Sequence, residues 1–196
     1  MSNRLIGIFG GSFNPVHVGH MMLASYMAQY CGLDEVWLTL SPRNPLKPSD
    51  ELIDDKHRLE MLQLAIAGQS AVKVCDIELS MPRPSYTIDT LRELSRIHPD
   101  YRFKLIIGSD NWLIFGRWRE HEAILNEYGV IIYPRPGCQA AVVDDRAVMV
   151  DAPQIELSST FLRQGLSEGK DMGSFMPQGV YRYIKENKLY NIRTVD

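Results

Sequence analysis

Short apolar segments and amphipathic helical segments alternate along almost the whole chain, and no other feature narrows the fold so far. Leu5 to Phe9 is a five-residue apolar run stopped by Gly10 and Gly11, as expected of a buried strand. Val36 to Leu40, Val72 to Cys75, Phe103 to Ile107, Val130 to Tyr133 and Val148 to Asp151 repeat the pattern. Helices are expected from Asn14–Pro15 to Cys31, from Asp54 to about Gly68 and from Thr87 to about Ile97, with two closing helices, Ser159 to Glu168 and Gln178 to Lys188. In the first, Asn14 suits the N-cap and Pro15 the opening turn, and Leu23, Ala24, Met27, Ala28 and Cys31 recur at helical spacing before Gly32. In the second, Leu59, Leu62, Ala65 and Ile66 share an apolar face. Strands spaced by helices of this length are joined by crossovers, so the expected fold is α/β, a doubly wound parallel sheet covered on both faces. Ligands in such sheets sit beyond the carboxyl ends of the strands. A site is therefore expected among residues 10–20, 41–48, 108–118, 134–137 and 152–163, while residues 137–145 read as a surface excursion.

With 196 residues and no linker or repeat, residues 1–196 are expected to form one domain. A net charge of −3 argues against a non-specific nucleic-acid binder, which needs a basic surface to displace counterions. Any phosphate site must then be built locally from a few cations. Cys31, Cys75 and Cys138 are odd in number and form no C-x-x-C pair, which disfavours a disulfide framework or a structural zinc. The apolar run after Met1 is too short for a signal peptide or a membrane span. A cytoplasmic protein is expected.

The strongest local pattern is Gly10-Gly11-Ser12-Phe13-Asn14-Pro15-Val16-His17-Val18-Gly19-His20. Glycines after a strand allow a tight turn and close approach of backbone to a ligand. The helix that follows offers free N–H groups and a positive dipole end to an anion. His17 and His20, three apart, fall on one helical face, where two imidazoles can donate to phosphate oxygens. The glycines match neither G-x-x-x-x-G-K-[ST] nor G-x-G-x-x-G. A histidine pair at this spacing is more often capping or surface chemistry. Metal ligation is a further alternative, although no third ligand lies in the segment.

Ser158-Ser159-Thr160-Phe161-Leu162-Arg163 forms a second cluster. Ser158 or Ser159 can cap a helix, and Arg163 shares a face with Ser159 and Thr160, a suitable clamp for phosphates. Alone, it reads equally as an ordinary cap with a solvated arginine.

Together, the His17-Val18-Gly19-His20 element and Ser158-Ser159-Thr160-x-x-Arg163 resemble the two hallmarks of the H-x-G-H nucleotidyltransferase superfamily. Within it, the chain is most similar to the bacterial nicotinate-nucleotide adenylyltransferase family, nearly end to end. Ser41 to Lys47, Arg58 to Leu62, Ile107 to Asp110 and above all Pro84-Ser85-Tyr86-Thr87-Ile88-Asp89-Thr90 carry that likeness. The resemblance implies a Rossmann-like sheet of the nucleotidyltransferase type and transfer of AMP from ATP to nicotinate mononucleotide, with release of pyrophosphate. It implies catalytic roles for His17, His20 and Arg163, and ATP binding by Gly10, Gly11, Ser12, Phe13, Gly108, Asp110, Ser159 and Thr160. It implies substrate binding by Lys47, Tyr86, Thr87, Trp118 and Arg135, with Trp118 stacking on the ring and Thr87 near the carboxylate. Mg²⁺ is expected to enter on the ATP phosphates, with no protein metal cage, and a homo-oligomer is left open.

Residue by residue, blander readings stand beside these. Trp118 suits a packing role, Thr87 the N-cap of the following helix, and Lys47 and Arg135 solvated loops. His57, His98 and His121 stand in no pattern. Rival functions are an adenylyl- or cytidylyltransferase acting on phosphopantetheine, a nucleotide-binding regulatory module without turnover, and a His-pair metalloprotein.

Overall fold

The computed structural model describes residues 4–42, 52–142 and 144–192. The elements run β1 (Arg4–Gly11), α1 (Val18–Tyr30), β2 (Glu35–Leu40), α2 (Asp55–Ala65), β3 (Val72–Cys75), α3 (Thr87–Ile97), β4 (Tyr101–Gly108), α4 (Ser109–Trp112), α5 (His121–Glu127), β5 (Val130–Tyr133), β6 (Ala147–Met149), α6 (Ser159–Ser167) and α7 (Gln178–Glu186). The six strands are all parallel, in the order β3-β2-β1-β4-β5-β6. Strand order reverses between β1 and β4, and in a doubly wound sheet that reversal opens a crevice at the carboxyl ends.

The alternation of side chains along each strand divides the core in two. Leu105 and Ile107 of β4, Val130 and Ile132 of β5, and Ile6 and Ile8 of β1 pack with Ile88, Leu91 and Leu94 of α3 and Ile124 and Leu125 of α5. Phe9, Leu38, Ile106 and Ile131 point the other way, onto Ala24 and Met27 of α1, Met61 and Leu62 of α2, Leu162 and Leu166 of α6, and Val180 and Ile184 of α7. Gly7 has no room for more: a Cβ there would stand 2.6 Å from Ile106 and Leu33.

Several local expectations are corrected. Gly10 and Gly11 do not stop β1 at Phe9; they are its last two residues and pair with Thr39 and Leu40. Helix α1 begins at Val18 with His17 as its N-cap, not at Asn14 or Pro15, which form a turn. The carbonyls of Asn14 and Pro15 are taken instead by side chains of α6, so a helix starting there would forfeit those bonds. In α2 the buried residues are Arg58, Met61, Leu62 and Ala65, one position round from the apolar face expected, because Arg58 is drawn into the interior. Strand β6 is shorter than the Val148–Asp151 expected and starts at Ala147, and neither α4 nor α5 is expected from the sequence.

Leu38, fully buried at the middle of β2, sits where the sheet meets α1 and α2. Leu38→Ala should destabilise the protein by roughly 2–5 kcal/mol, from lost transfer energy and a residual cavity. Urea unfolding of both proteins measures it; a loss below about 1 kcal/mol would contradict this packing.

Candidate active site

At the carboxyl end of β1 the glycines contribute space rather than unusual backbone angles. The left-handed residue is Phe13, with φ of 44°, and its ring is buried. A Cβ at Gly11 would lie 2.9 Å from that ring, so Gly11 makes room for Phe13. A Cβ at Gly10 would meet nothing within 4 Å, leaving open space at the wall of a cleft. Phe13 in turn braces His20, edge to face at 5.0 Å between centroids.

The two histidines are organised by the start of α1. The His17 backbone N–H donates to His20 Nδ1 at 3.2 Å, the return half of a capping box with histidine in place of Glu or Gln. That bond makes Nδ1 the acceptor of a neutral His20 and assigns its proton to Nε2. The rings stack at 3.6 Å with 26° between planes. Gly19 permits this approach, since a Cβ there would stand 3.1 Å from His17 Nδ1. His17 is 5% exposed, and burial, helped by the Arg135 guanidinium, pushes its pKa down to about 4. It is therefore a neutral imidazole near pH 7.

The second cluster closes onto the first. Ser158 is the N-cap of α6, accepting from the Phe161 N–H at 3.2 Å. Ser159 Oγ donates to the Pro15 carbonyl at 2.9 Å, and Arg163 Nη1 donates to the Asn14 carbonyl at 3.0 Å. Arg163 Nη2 also lies 3.4 Å from Thr160 Oγ1. Tyr190 adds a bond from its hydroxyl to Asn14 Oδ1 at 3.0 Å. Residues 144–149 positions apart are thus joined, and the start of α6 is held against the loop that leads to His17.

Two adjoining hollows lie at this end of the sheet, both walled by Phe9 and Tyr133. One holds His17, His20 and Arg135. The other holds Gly10, Gly11, Ser12 and Gly108 at one side and Tyr86, Thr87 and Trp118 at another. Thr87 is the first residue of α3, with Tyr86 as N-cap, so the reading of Thr87 as the cap does not apply. Trp118 packs on Phe115 at 5.4 Å, and its buried Nε1 has no hydrogen-bond partner among the described residues. Asp110 stands just outside, 3.6 Å from Arg135. Lys47 lies outside the described residues. His57 and His98 are occupied structurally, the first bonded to the Tyr183 hydroxyl at 2.9 Å and the second stacked on Tyr101.

Two site-building residues escaped the sequence reading. Arg58 has a side chain with no exposure, and it donates to the carbonyls of Ser12 (2.7 Å), Ser41 (2.9 Å), Ile53 (3.2 Å) and Pro42 (3.4 Å) while pairing with Asp55. It stitches the loop after β1 to the loop after β2. The available signal was a cation three, four and seven positions before Met61, Leu62 and Ala65, on the core face of a helix. Glu78, also buried, accepts from Ser85 Oγ at 3.1 Å and Thr90 Oγ1 at 3.0 Å, fixing the segment that carries Tyr86 and Thr87. Burial pushes its carboxyl up, and the hydroxyls of Ser41, Thr90 and Ser85 oppose that shift.

A family model described as cytidylyltransferase-like matches residues 8–165, which sets the class: α/β nucleotidyltransferase-type proteins. A Bacteroides fragilis protein named nicotinate-nucleotide adenylyltransferase is 46% identical over 186 residues, 94% of this chain and 92% of its own. A solved nicotinate-nucleotide adenylyltransferase from Vibrio parahaemolyticus superposes with a TM-score of 0.71 at 25% identity, covering 96% of each chain. The nicotinic acid mononucleotide adenylyltransferase of Plasmodium falciparum, solved with NaAD, shares the fold at a TM-score of 0.78 and 22% identity, over 97% of this chain and 99% of that one. The chain belongs to the nicotinate-nucleotide adenylyltransferase family.

Two expectations follow. Between pH 6.5 and about 4 an unfolded chain binds a proton at His17 and the folded chain does not, so stability falls as pH drops through that window, by ~3 kcal/mol at most. Urea unfolding at pH 7 and 4.5 should show His17→Gln losing less on acidification than wild type; equal losses would refute the buried neutral state. Arg58→Met leaves several carbonyls unsatisfied and should cost roughly 2–4 kcal/mol by the same method, and a loss under about 1 kcal/mol would deny it the stitching role.

Proposed function

We propose that the protein transfers the adenylyl group of MgATP to nicotinate mononucleotide, forming nicotinate adenine dinucleotide and pyrophosphate in NAD biosynthesis. One observation carries the assignment of chemistry to this cleft: Ser159 and Arg163 bond the Pro15 and Asn14 carbonyls, which sets the second cluster against the loop of the two histidines. Family membership supports the reaction.

A 5′-phosphate oxygen of the mononucleotide attacks the α-phosphorus of ATP. The new P–O bond forms as the bond to the β-phosphate bridge breaks, and the electron pair leaves on pyrophosphate. No protein nucleophile is required, so catalysis consists of positioning and charge stabilisation. His20, held with Nε2–H as donor, and neutral His17 serve phosphate oxygens on which charge develops. Arg163 and the hydroxyl of Thr160 steady the phosphate tail, with Ser159 fixing the start of α6. Gly10, Gly11 and Ser12 let the nucleotide lie against backbone, Phe13 braces His20, and Gly108 and Asp110 seat the adenosine part. Tyr86, Thr87 and Trp118 receive the nicotinate ring, and Arg135 with Lys47 receives the mononucleotide phosphate.

Magnesium would arrive as part of MgATP, held chiefly by the phosphates, where it would neutralise their charge. We read the sheet and its helices as one domain. We read the protein as cytoplasmic, from the odd number of its cysteines, Cys31, Cys75 and Cys138, and the lack of a C-x-x-C pair. No helix among the described residues is long and apolar enough to cross a membrane.

Initial rates of pyrophosphate release with MgATP and nicotinate mononucleotide test the reaction, with phosphopantetheine as the control acceptor. Turnover with phosphopantetheine alone would overturn the acceptor assignment. His20→Ala should lower kcat by roughly 10²–10³, the usual cost of one positioned transition-state donor, with a much smaller change in the KM for ATP. A variant with wild-type kcat would remove His20 from the mechanism.

A further inference from the structure

The cleft end formed by Tyr86, Thr87 and Trp118 also contains two arginines without an assigned task. Arg117 closes a single 3₁₀ turn, Phe115–Arg117, and Arg119 follows the tryptophan; both line the cleft. The Arg117 side chain makes no hydrogen bond or ion pair among the described residues. Arg119 is held at the wall by its guanidinium carbon, 4.8 Å above the Tyr86 ring. Its carboxylate partners are loose: Asp89 at 3.4 Å and Glu120 at 3.9 Å, and Glu120 also pairs with Arg92 at 2.8 Å.

Two cations therefore line this end against one lining carboxylate, while Asp89 and Glu120 face Arg119 from outside the lining. Glu78 is the one carboxylate lining the cleft among the described residues, and its oxygens are spent on the hydroxyls of Ser85 and Thr90. Tyr86, the N-cap of α3, supplies no side-chain acceptor to the first N–H groups of that helix, and Asp89 in its first turn offsets part of the positive dipole end. A guanidinium resting on an aromatic face keeps its N–H fork available for a planar anion.

We propose that Arg117 and Arg119 are specificity-determining residues that select a mononucleotide whose aromatic ring bears an ionised carboxylate over its neutral carboxamide counterpart. The inference rests on the reading of this cleft as the mononucleotide site. A carboxylate gives the arginines charge-assisted partners, whereas an amide of the same size offers one neutral oxygen and a competing donor. Selection therefore comes from charge more than from shape. Because both side chains are exposed, the effect is screened and modest rather than absolute.

The test is kcat/KM for nicotinate and nicotinamide mononucleotide with MgATP, for wild type, Arg117→Gln, Arg119→Gln, the double variant and Arg119→Lys. The double variant should lower the nicotinate-to-nicotinamide ratio by about tenfold, chiefly through the KM of the nicotinate form. Arg119→Lys, which keeps the charge, should retain more of the ratio than Arg119→Gln, and added salt should erode the ratio in wild type but little in the double variant. A general loss of structure would depress both substrates together and leave no such split. A ratio in the double variant within twofold of wild type would overturn the inference while leaving the reaction standing. Wild-type enzyme inactive with both mononucleotides would instead overturn the proposed reaction and this inference with it.

Discussion

The buried guanidinium of Arg58 is the interaction on which the site's framework depends. It satisfies carbonyls of Ser12, Ser41, Pro42 and Ile53, which leave the sheet at the ends of two neighbouring strands or lead into α2. Backbone at the carboxyl ends of parallel strands has no further ladder to join, and buried carbonyls without partners are costly. A charged fork with several donors meets that need in one side chain, and Asp55 offsets its charge. The loop carrying Ser12 is thereby fixed from below, and the geometry of the histidines is built on top of it.

From that base the site grows by mutual bracing rather than by any one motif. Phe13 takes the left-handed turn and supports His20; His20 accepts from the His17 backbone; Gly19 lets the rings stack; Ser159, Arg163 and Tyr190 hold the Asn14–Pro15 turn from the far end of the chain. On the other side of the cleft, Glu78 does for Ser85 and Thr90 what Arg58 does for the first loop. Preorganisation of this kind suits phosphoryl-group transfer, where donors must already stand where charge will appear.

Much of the fold was legible because each strand is a short apolar run and each crossover helix has a repeating apolar stripe. The run Leu5–Phe9 and the face Leu91–Leu94 report burial through local periodicity alone. Boundaries were less legible where a distant contact outweighed local preference. Asn14 and Pro15 have the chemistry of a helix start, yet α6 claims their carbonyls, and the helix waits for His17. Arg58 was hidden because a cation on a helix ordinarily faces water; only knowledge of what lies beneath α2 reveals four carbonyls waiting for it.

The sequence by itself determined the alternating α/β order, the parallel sheet, and the two clusters around His17–His20 and Ser158–Arg163, since these follow from periodicity and from residue types at short spacing. Only the tertiary structure decided that those clusters bond to one another, that the glycine pair lies within the sheet, and that Arg117 and Arg119 share a cleft with Tyr86 and Thr87. The physical reason is range. Periodicity and capping act within a few residues, whereas the pairing of Arg163 with Asn14 and of Arg119 with the Tyr86 ring depends on where the packed sheet carries distant segments.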